Sequence, residues 1–480
     1  MASEIWRPST NDELQTDLVY LTSLEEDTFS AKEKELLSWK SEGVYQEVEN
    51  TGQKTISTRW VLKPKVIDGI QSVKARLCAR GFEEDKNFRT DSPTCSREGV
   101  RVALSTLACY KWDLKSLDIK SAFLQGKKME RTVFLKPPKE ASTNKIWLLQ
   151  KCVYGLSDAS RFWYLRVREE IIKLDGEVSA LDQGLFLFFE NNELQGIISC
   201  FVDDMVYGGN IEFENNVIKP LRQTFTISSE NRQSFYYVGI NIHQNPDKSI
   251  VVNQTSYIKS IISIPLTKHR NPDDELSSEE TTEFRGVVGQ LNWVSGITRP
   301  DISFEVCNAS TKCASPTIRD VIRLNKVIRQ LKNDNCQLFF PSMDPLQVKL
   351  TVYTDASFNN LPKGGSQGGQ IIFLSDFNQN CSPIAWNSSR IKRVVRSTLA
   401  AETLSLADGY GTASYLQHLL ARIFPSVNSQ STTAITDSKS LYETVNTSHR
   451  ATDKSLVVNI GYLRQWIDDN KLYIVWKEGH

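Results

Sequence analysis

The chain has 480 residues, 40% of them hydrophobic and 24% charged, so it is too long for a single core and has an ordinary globular composition. Its 57 basic and 57 acidic side chains cancel, which removes any argument for nucleic-acid binding from bulk charge. No run approaches the roughly 20 apolar residues of a membrane helix. The Met1–Glu4 start has no apolar signal core, and nine scattered cysteines with no C-x-x-C pair point to reduced thiols, neither a disulfide frame nor a zinc site.

Residues 1–50 are polar, with a helix expected from about Ser30 to Ser41. Two alternating runs, Ser57–Lys65 and Val73–Arg80, flank Asp68-Gly69 and predict a β-hairpin with basic side chains. Between Lys54 and Arg80 seven cations face one acid, Asp68. Residues 97–111 read as a helix, Leu114–Ile119 as a short strand, and Arg161–Leu174 again as a helix. Ile197–Gly209 reads as strand, tight turn, strand, with Asp203-Asp204 at its apex. After about residue 255 the pattern is mainly helical, and Ser315-Pro316 is a cap and first-turn proline for a helix running to about Asn333. A new unit begins near Val348. Strands are expected at Leu350–Asp355, Gly369–Ser375, Pro383–Trp386, Thr433–Thr436 and Leu472–Trp476, with a long helix from Ser397. A second basic run, Arg390–Arg396, precedes that helix.

Two sets of carboxylates stand out. Adjacent acids in a tight turn are a poor local choice, because such turns favour Asn-Gly or Asp-Gly and the charges repel. An acidic surface turn is the plain alternative, but apolar flanks on both sides would hold Asp203 and Asp204 at the edge of a buried sheet. Asp118, at the end of a strand whose Leu117 and Ile119 can face a core, supplies a third acid. Three such groups are able to hold two Mg²⁺ about 3.5–4 Å apart for phosphoryl transfer. In the second set Asp355 ends a strand, Glu402 falls early in a helix, and Asp437 follows another strand.

Here the sequence resembles a family. Leu117–Leu124 around Asp118 and Phe201–Val206 around the acidic pair resemble polymerase motifs of copia-type (Pseudoviridae) LTR retrotransposon Pol polyproteins. So do Lys74–Phe82, Tyr154–Trp163 and Tyr237–Ile240, and the likeness continues through Tyr257–Lys259, Val288–Leu291 and Thr298–Ile302. Thr354–Ser357, Ala400–Thr403 and Thr436–Lys439 resemble the signatures of the attached ribonuclease H. Each motif alone is weak; together, in order, they are specific.

The resemblance implies a multidomain α/β and α+β chain: a right-hand polymerase of fingers, palm and thumb, followed by a ribonuclease H-like domain. The expected segments are an N-terminal extension at 1–50, fingers and palm at 51–252, a helical thumb and connection at 253–346, and the ribonuclease H-like part at 347–480, cut before its last helix. It implies an RNA-directed DNA polymerase, also DNA-templated, that cleaves the RNA of RNA–DNA hybrids. A domesticated, non-catalytic nucleic-acid-binding protein is the alternative. Asp118, Asp203 and Asp204, and Asp355, Glu402 and Asp437, would be catalytic and metal-binding, with two Mg²⁺ per site and Mn²⁺ as the other candidate ion. Lys63, Lys74, Arg76, Phe123 and Gly155 would bind the nucleotide, and Tyr237, Val238 and Gly239 would form the primer grip. Where the family has Lys-Gln-x-Pro after Gly-Leu, this chain has Ser-Asp-Ala-Ser at 157–160. No fourth acid follows Leu472–Trp476; Asp453, read as helical, lies too early, and His480 is terminal. The partners implied are an RNA template, a DNA primer, the hybrid and dNTPs, with a homodimer compatible and no membrane. The location implied is cytoplasmic, within virus-like particles, with nuclear entry open.

Overall fold

The computed structural model describes residues 27–67, 70–85, 87–266, 270–447 and 453–478. The chain divides into two compact units. The first is built from Met1–Pro93, Ile119–Leu174 and Gln223–Thr226, and the second from Thr94–Asp118, Asp175–Arg222 and Ile227–His480. Among the described residues, no helix is long and apolar enough to cross a membrane. All nine cysteines are free.

In the first unit, residues 27–41 are helical. Strands Thr58–Ile67 and Ile70–Ala79 form the expected hairpin, in register from Thr58 opposite Ala79 to Ile67 opposite Ile70. Its Asp68-Gly69 turn lies outside the described residues. A four-stranded sheet in the order Tyr45–Val48, Ile146–Leu149, Phe134–Leu135, Thr55–Ile56 stands beside helix Ala159–Lys173. The core of this unit gathers Trp39, Leu77, Leu124, Trp147 and Val153, each at most 1% exposed. Asp158 is buried here against Arg131, whose guanidinium also holds Glu84.

The second unit opens with helix α1, Arg97–Cys109, capped by Ser96, whose hydroxyl accepts from the Gly99 N–H. Buried Asp182 fixes that cap: it accepts from the Ser96 N–H at 2.9 Å, the Ser96 hydroxyl at 2.7 Å and the Gly184 N–H at 3.1 Å. A carboxylate so supplied with donors is tolerated inside a protein. Helix α1 contacts a six-stranded sheet. Its strands are β1 (Lys115–Ile119), β2 (Gly176–Val178), β3 (Leu185–Glu190), β4 (Glu193–Phe201), β5 (Asp204–Gly209) and β6 (Ile227–Arg232), in the order β6-β1-β5-β4-β3-β2. The central strands are apolar and buried, as the unbroken Ile-Ile and Met-Val-Tyr runs require.

A four-stranded antiparallel sheet follows: β7 (Ser234–Tyr237), β8 (Ile240–Gln244), β9 (Ile250–Asn253) and β10 (Leu338–Phe340). Between β9 and β10 come α2 (Thr255–Ser260), α3 (Ser278–Ile297), α4 (Ser303–Thr311) and α5 (Ile318–Asn333). Helix α5 begins two residues later than Pro316. Thr317 takes the cap position instead of Ser315, its N–H and hydroxyl both donating to the Asp320 carboxylate at 2.9 Å.

The last sheet is mixed. Its strands are β11 (Lys349–Leu361), β12 (Gly365–Ser375), β13 (Cys381–Arg390), β14 (Thr432–Thr436) and β15 (Leu472–Trp476), in the order β13-β12-β11-β14-β15. β11, β14 and β15 run parallel, while β12 and β13 are antiparallel to their neighbours. Helix α6, Thr398–Leu420, lies close over β11 because Gly409 has no side chain: a Cβ there would stand 2.6 Å from Thr354 Cγ2.

One buried cation joins these parts. Arg101 of α1, 5% exposed, donates to the carbonyls of Ile384 in β13 and of Gly296 and Ile297 in α3. Its guanidinium lies 3.6 Å from the ring centroid of Trp386, whose indole N–H donates to Ser295 O at 2.8 Å. The fork needs arginine geometry, which lysine cannot reproduce. Replacing Arg101 by methionine is expected to cost about 2–4 kcal/mol through unpaired buried carbonyls, and Arg101→Lys is expected to recover less than half of it, both read by urea denaturation.

Candidate active sites

Strand pairing creates the first carboxylate set. Asp204 at the start of β5 stands directly opposite Asp118 in β1, and Met205 opposite Leu117. Side chains directly opposite on neighbouring strands share a face with Cβ atoms about 4.5–5.5 Å apart, so like charges there repel. Asp204 also closes the hairpin with Phe201, leaving Val202 and Asp203 as the turn. The apex is therefore Val-Asp, not Asp-Asp. Val202 has φ +58°, a left-handed conformation that branched residues avoid. Burial, then Asp203 and Asp118, push the Asp204 carboxyl up to about 6. Ser228 of β6 donates to the Asp118 carboxylate and to its carbonyl oxygen.

At the tip of the next hairpin Tyr237 pairs with Ile240, so Val238 and Gly239 form a two-residue turn with φ +41° and +84°. Positive φ at both positions is what tight antiparallel turns need. Only glycine does this without strain. Trp293 of α3 closes over Gly239, its ring 3.3 Å from where a Cβ would sit. Tyr237 is buried.

The second set is tighter. Asp355, Glu402 and Asp437 each bring one oxygen within 4.8 Å of the others, the one trio of possible metal-ligating groups with that spacing among the described residues. Asp355 lies within β11, which runs on to Leu361 instead of ending at Asp355, Glu402 is one turn into α6, and Asp437 directly follows β14. Glu402 is 4% exposed. Its Oε1 accepts from the Ala356 N–H at 3.3 Å, while its buried Oε2 has no hydrogen-bond partner. Burial, then Asp355 and Asp437, push its carboxyl up to about 8, with the Ala356 N–H pulling the other way. Trp476 steadies Asp437 by donating its indole N–H to the Asp437 carbonyl at 2.9 Å. Three converging acids, one with an orphaned buried oxygen, offer the kind of oxygen donors that a hard divalent cation takes. Asp453 is not helical; it caps the short turn Lys454–Leu456. His480 lies outside the described residues.

The nucleotide-contact candidates lie in the first unit. Lys63 and Lys74 are exposed and face each other across the hairpin. The Arg76 guanidinium sits 4.9 Å from the ring centroid of Tyr154, and Phe123 packs on the same ring at 5.0 Å. Tyr154 is thus the link between two candidates. Gly155 has a structural reason of its own: at φ +93° a Cβ would meet Ala79 O at 2.0 Å, and its neighbour Tyr154 accepts from the Ala79 N–H. Asp158 is taken up by the Arg131 pair, so its role is in the core.

A family model described as reverse transcriptase (RNA-dependent DNA polymerase) matches residues 42–271. The chain is 26% identical over 449 residues to the retrovirus-related Pol polyprotein from transposon RE1 of Arabidopsis thaliana, covering 88% of this chain and 30% of that one. It is 25% identical over 484 residues to the Pol polyprotein from transposon TNT 1-94 of Nicotiana tabacum, covering 93% and 35%. Residues 42–271 thus match a reverse transcriptase family, and the chain is similar to Pol polyproteins of copia-type transposons.

The chain spans about a third of the length of the curated relatives it matches. Its fold is similar to a foamy viral protease-reverse transcriptase solved in complex with RNA/DNA hybrid: TM-score 0.50, 11% identity, 91% of this chain and 52% of that one.

Two stability measurements check the electrostatics and the strain. Glu402 takes up a proton on folding at pH values between the ordinary carboxylate range and about 8, so its contribution is present at low pH and lost as pH rises through 8. In EDTA, Glu402→Gln is expected to raise Tm at pH 8.5 and leave it unchanged at pH 4. Val202→Gly is expected to stabilise the fold by about 1 kcal/mol in urea denaturation, by releasing the left-handed valine.

Proposed function

We propose that the chain is an RNA-directed DNA polymerase, also able to copy DNA, that cleaves the RNA strand of RNA–DNA hybrids at a second site. The observation that carries the polymerase reading is the pairing of Asp204 with Asp118, with Asp203 next to it in the turn, inside a reverse transcriptase domain. The ribonuclease H reading is supported by the mixed sheet order and by the close Asp355, Glu402 and Asp437 trio. In this reading the fingers and palm fall in 51–252, the thumb and connection in 253–346, and the ribonuclease H-like part in 347–480.

Each acid set suits a pair of divalent ions, Mg²⁺ or Mn²⁺, because burial and neighbouring like charges push one carboxyl of each set upward. Bound there, the ions would act as Lewis acids toward phosphoryl oxygens and lower the pKa of the attacking hydroxyl or water. The chain's own groups do the rest. Lys63 and Lys74 offer paired cations to an incoming triphosphate. Tyr154 holds Arg76 and Phe123 on one ring, so a cation and an aromatic surface for the deoxyribose come from one preorganised cluster. The Tyr237–Gly239 tip, stiffened by Trp293, is the primer grip. Ser228 holds the Asp118 carboxylate in place, and Trp476 fixes the backbone at Asp437. The partners are an RNA template, a DNA primer, the hybrid and dNTPs, in a cytoplasmic virus-like particle.

Primer extension on RNA and DNA templates tests the first activity. Asp203→Asn is expected to lose at least about a hundredfold in rate while binding primer–template like its parent. Labelled-hybrid cleavage tests the second: Asp355→Asn is expected to abolish it with extension intact. Extension by Asp203→Asn at the parent rate would refute the assignment of the acidic turn.

A further inference from the structure

A polar cavity of about 320 Å³ opens between β12, β13, the loop after β13 and α6. It sits on the β12–β13 side of β11, whereas Asp437 follows β14 on the other side. Its rim carries three cations, Arg390, Lys392 and Arg393, and one acid, Asp408. Asn387 and Ser389, both exposed on the edge strand, add amide and hydroxyl groups. Arg390, Lys392, Arg393 and Asp408 are all exposed; Arg390 donates to Pro362 O at 2.9 Å and Arg393 to Asn459 Oδ1 at 3.4 Å. The wall is tied to the carboxylate strand: Ser405 Oγ donates to Asp355 O at 2.9 Å and to Gly369 O at 3.1 Å.

The volume is within the range of small-ligand sites and suits one nucleotide. Three cations call for phosphate. A carboxylate beside them would oppose a ligand that brought phosphate alone. It suits a ligand that also brings hydroxyl donors, as a carboxylate does on a ribose 2′-hydroxyl in dinucleotide sites. Ribose has that hydroxyl and deoxyribose does not.

We propose that this cavity is a subsite for one ribonucleotide unit of an RNA strand, with its phosphate on Lys392 and Arg393 and its ribose hydroxyl on Asp408. The purpose of the subsite, holding the RNA of a hybrid beside the Asp355 set, rests on the ribonuclease H reading; its occupancy does not.

Fluorescence anisotropy in EDTA, with the full chain, a labelled RNA–DNA hybrid and the DNA duplex of the same sequence, separates the two. Asp408→Ala is expected to weaken hybrid binding about three- to tenfold and leave duplex binding unmoved, the signature of a lost hydroxyl contact. Lys392→Gln is expected to weaken hybrid binding and lower the slope of log affinity against log salt by about one. Tighter binding of both nucleic acids by Asp408→Ala would reduce Asp408 to a repulsive charge and overturn the proposal. So would hybrid affinities equal to the parent's in both variants, including the case where adenosine monophosphate binding depends on Lys392, which would make the cavity a site for free nucleotides. A parent that binds hybrid but never cleaves it would remove the ribonuclease H reading and leave these arms decisive.

Discussion

Like charges held at close quarters by backbone pairing are the constraint around which the second unit is arranged. Asp118 and Asp204 do not choose to be neighbours; the ladder between β1 and β5 puts them opposite each other, and that ladder is secured by burial of Leu117, Met205 and Val206. Directly opposed acids destabilise an antiparallel pair. Burial first, and then repulsion by Asp203 and Asp118, holds the Asp204 proton up to about pH 6. Such an arrangement persists only where the surrounding packing outweighs it, and here the flanking residues are almost fully buried.

Strain is placed at the same two hairpin tips. Val202 beside the acidic pair and Val238 in the Tyr237–Ile240 turn are both branched residues at positive φ. Each costs about 1–2 kcal/mol against a relaxed backbone. Glycine would have been cheaper at either position, so local folding preference does not account for the choice. A valine there stiffens the turn, as the roles proposed for the two tips would require. Trp293 against Gly239 acts in the same direction from outside the hairpin.

Much of this was legible in the sequence because it is written in periodicity. The paired basic runs, the apolar strands around Asp203, and the strand–helix–strand placement of Asp355, Glu402 and Asp437 all follow from alternation and capping signals, and the final strand Leu472–Trp476 falls where the pattern put it. What could not be read depends on partners remote in the chain. Ser228 is an ordinary serine until β6 lies beside β1. Arg101 is one more arginine in a helix until Gly296, Ile297 and Ile384 present their carbonyls to it. The Val-Asp apex was missed because the register of β4 against β5, not composition, decides which two residues turn. Tyr154 was visible within a motif, but its place between Arg76 and Phe123 was not.

The two acid sets differ in how far the fold alone brings them together, and the difference follows from the elements that carry them. The first draws on one strand end, one turn residue and the first residue of the returning strand, so its members are spread along an antiparallel edge and only the Asp118–Asp204 pair is held by register. The second draws on two parallel neighbours and a helix lying across them, and α6 comes near enough for Glu402 to reach between Asp355 and Asp437 because Gly409 allows close approach. Convergence is therefore complete before any cation arrives, and the cost is concentrated on one residue, Glu402, which keeps its proton up to about pH 8. A site of that kind is preorganised and exchanges a proton for a cation when it binds one. On the proposed reading, the more open first set would leave more of the gathering to the cation itself. The two sets are thus expected to respond differently to the same change of pH or divalent concentration, although both sit in the same unit.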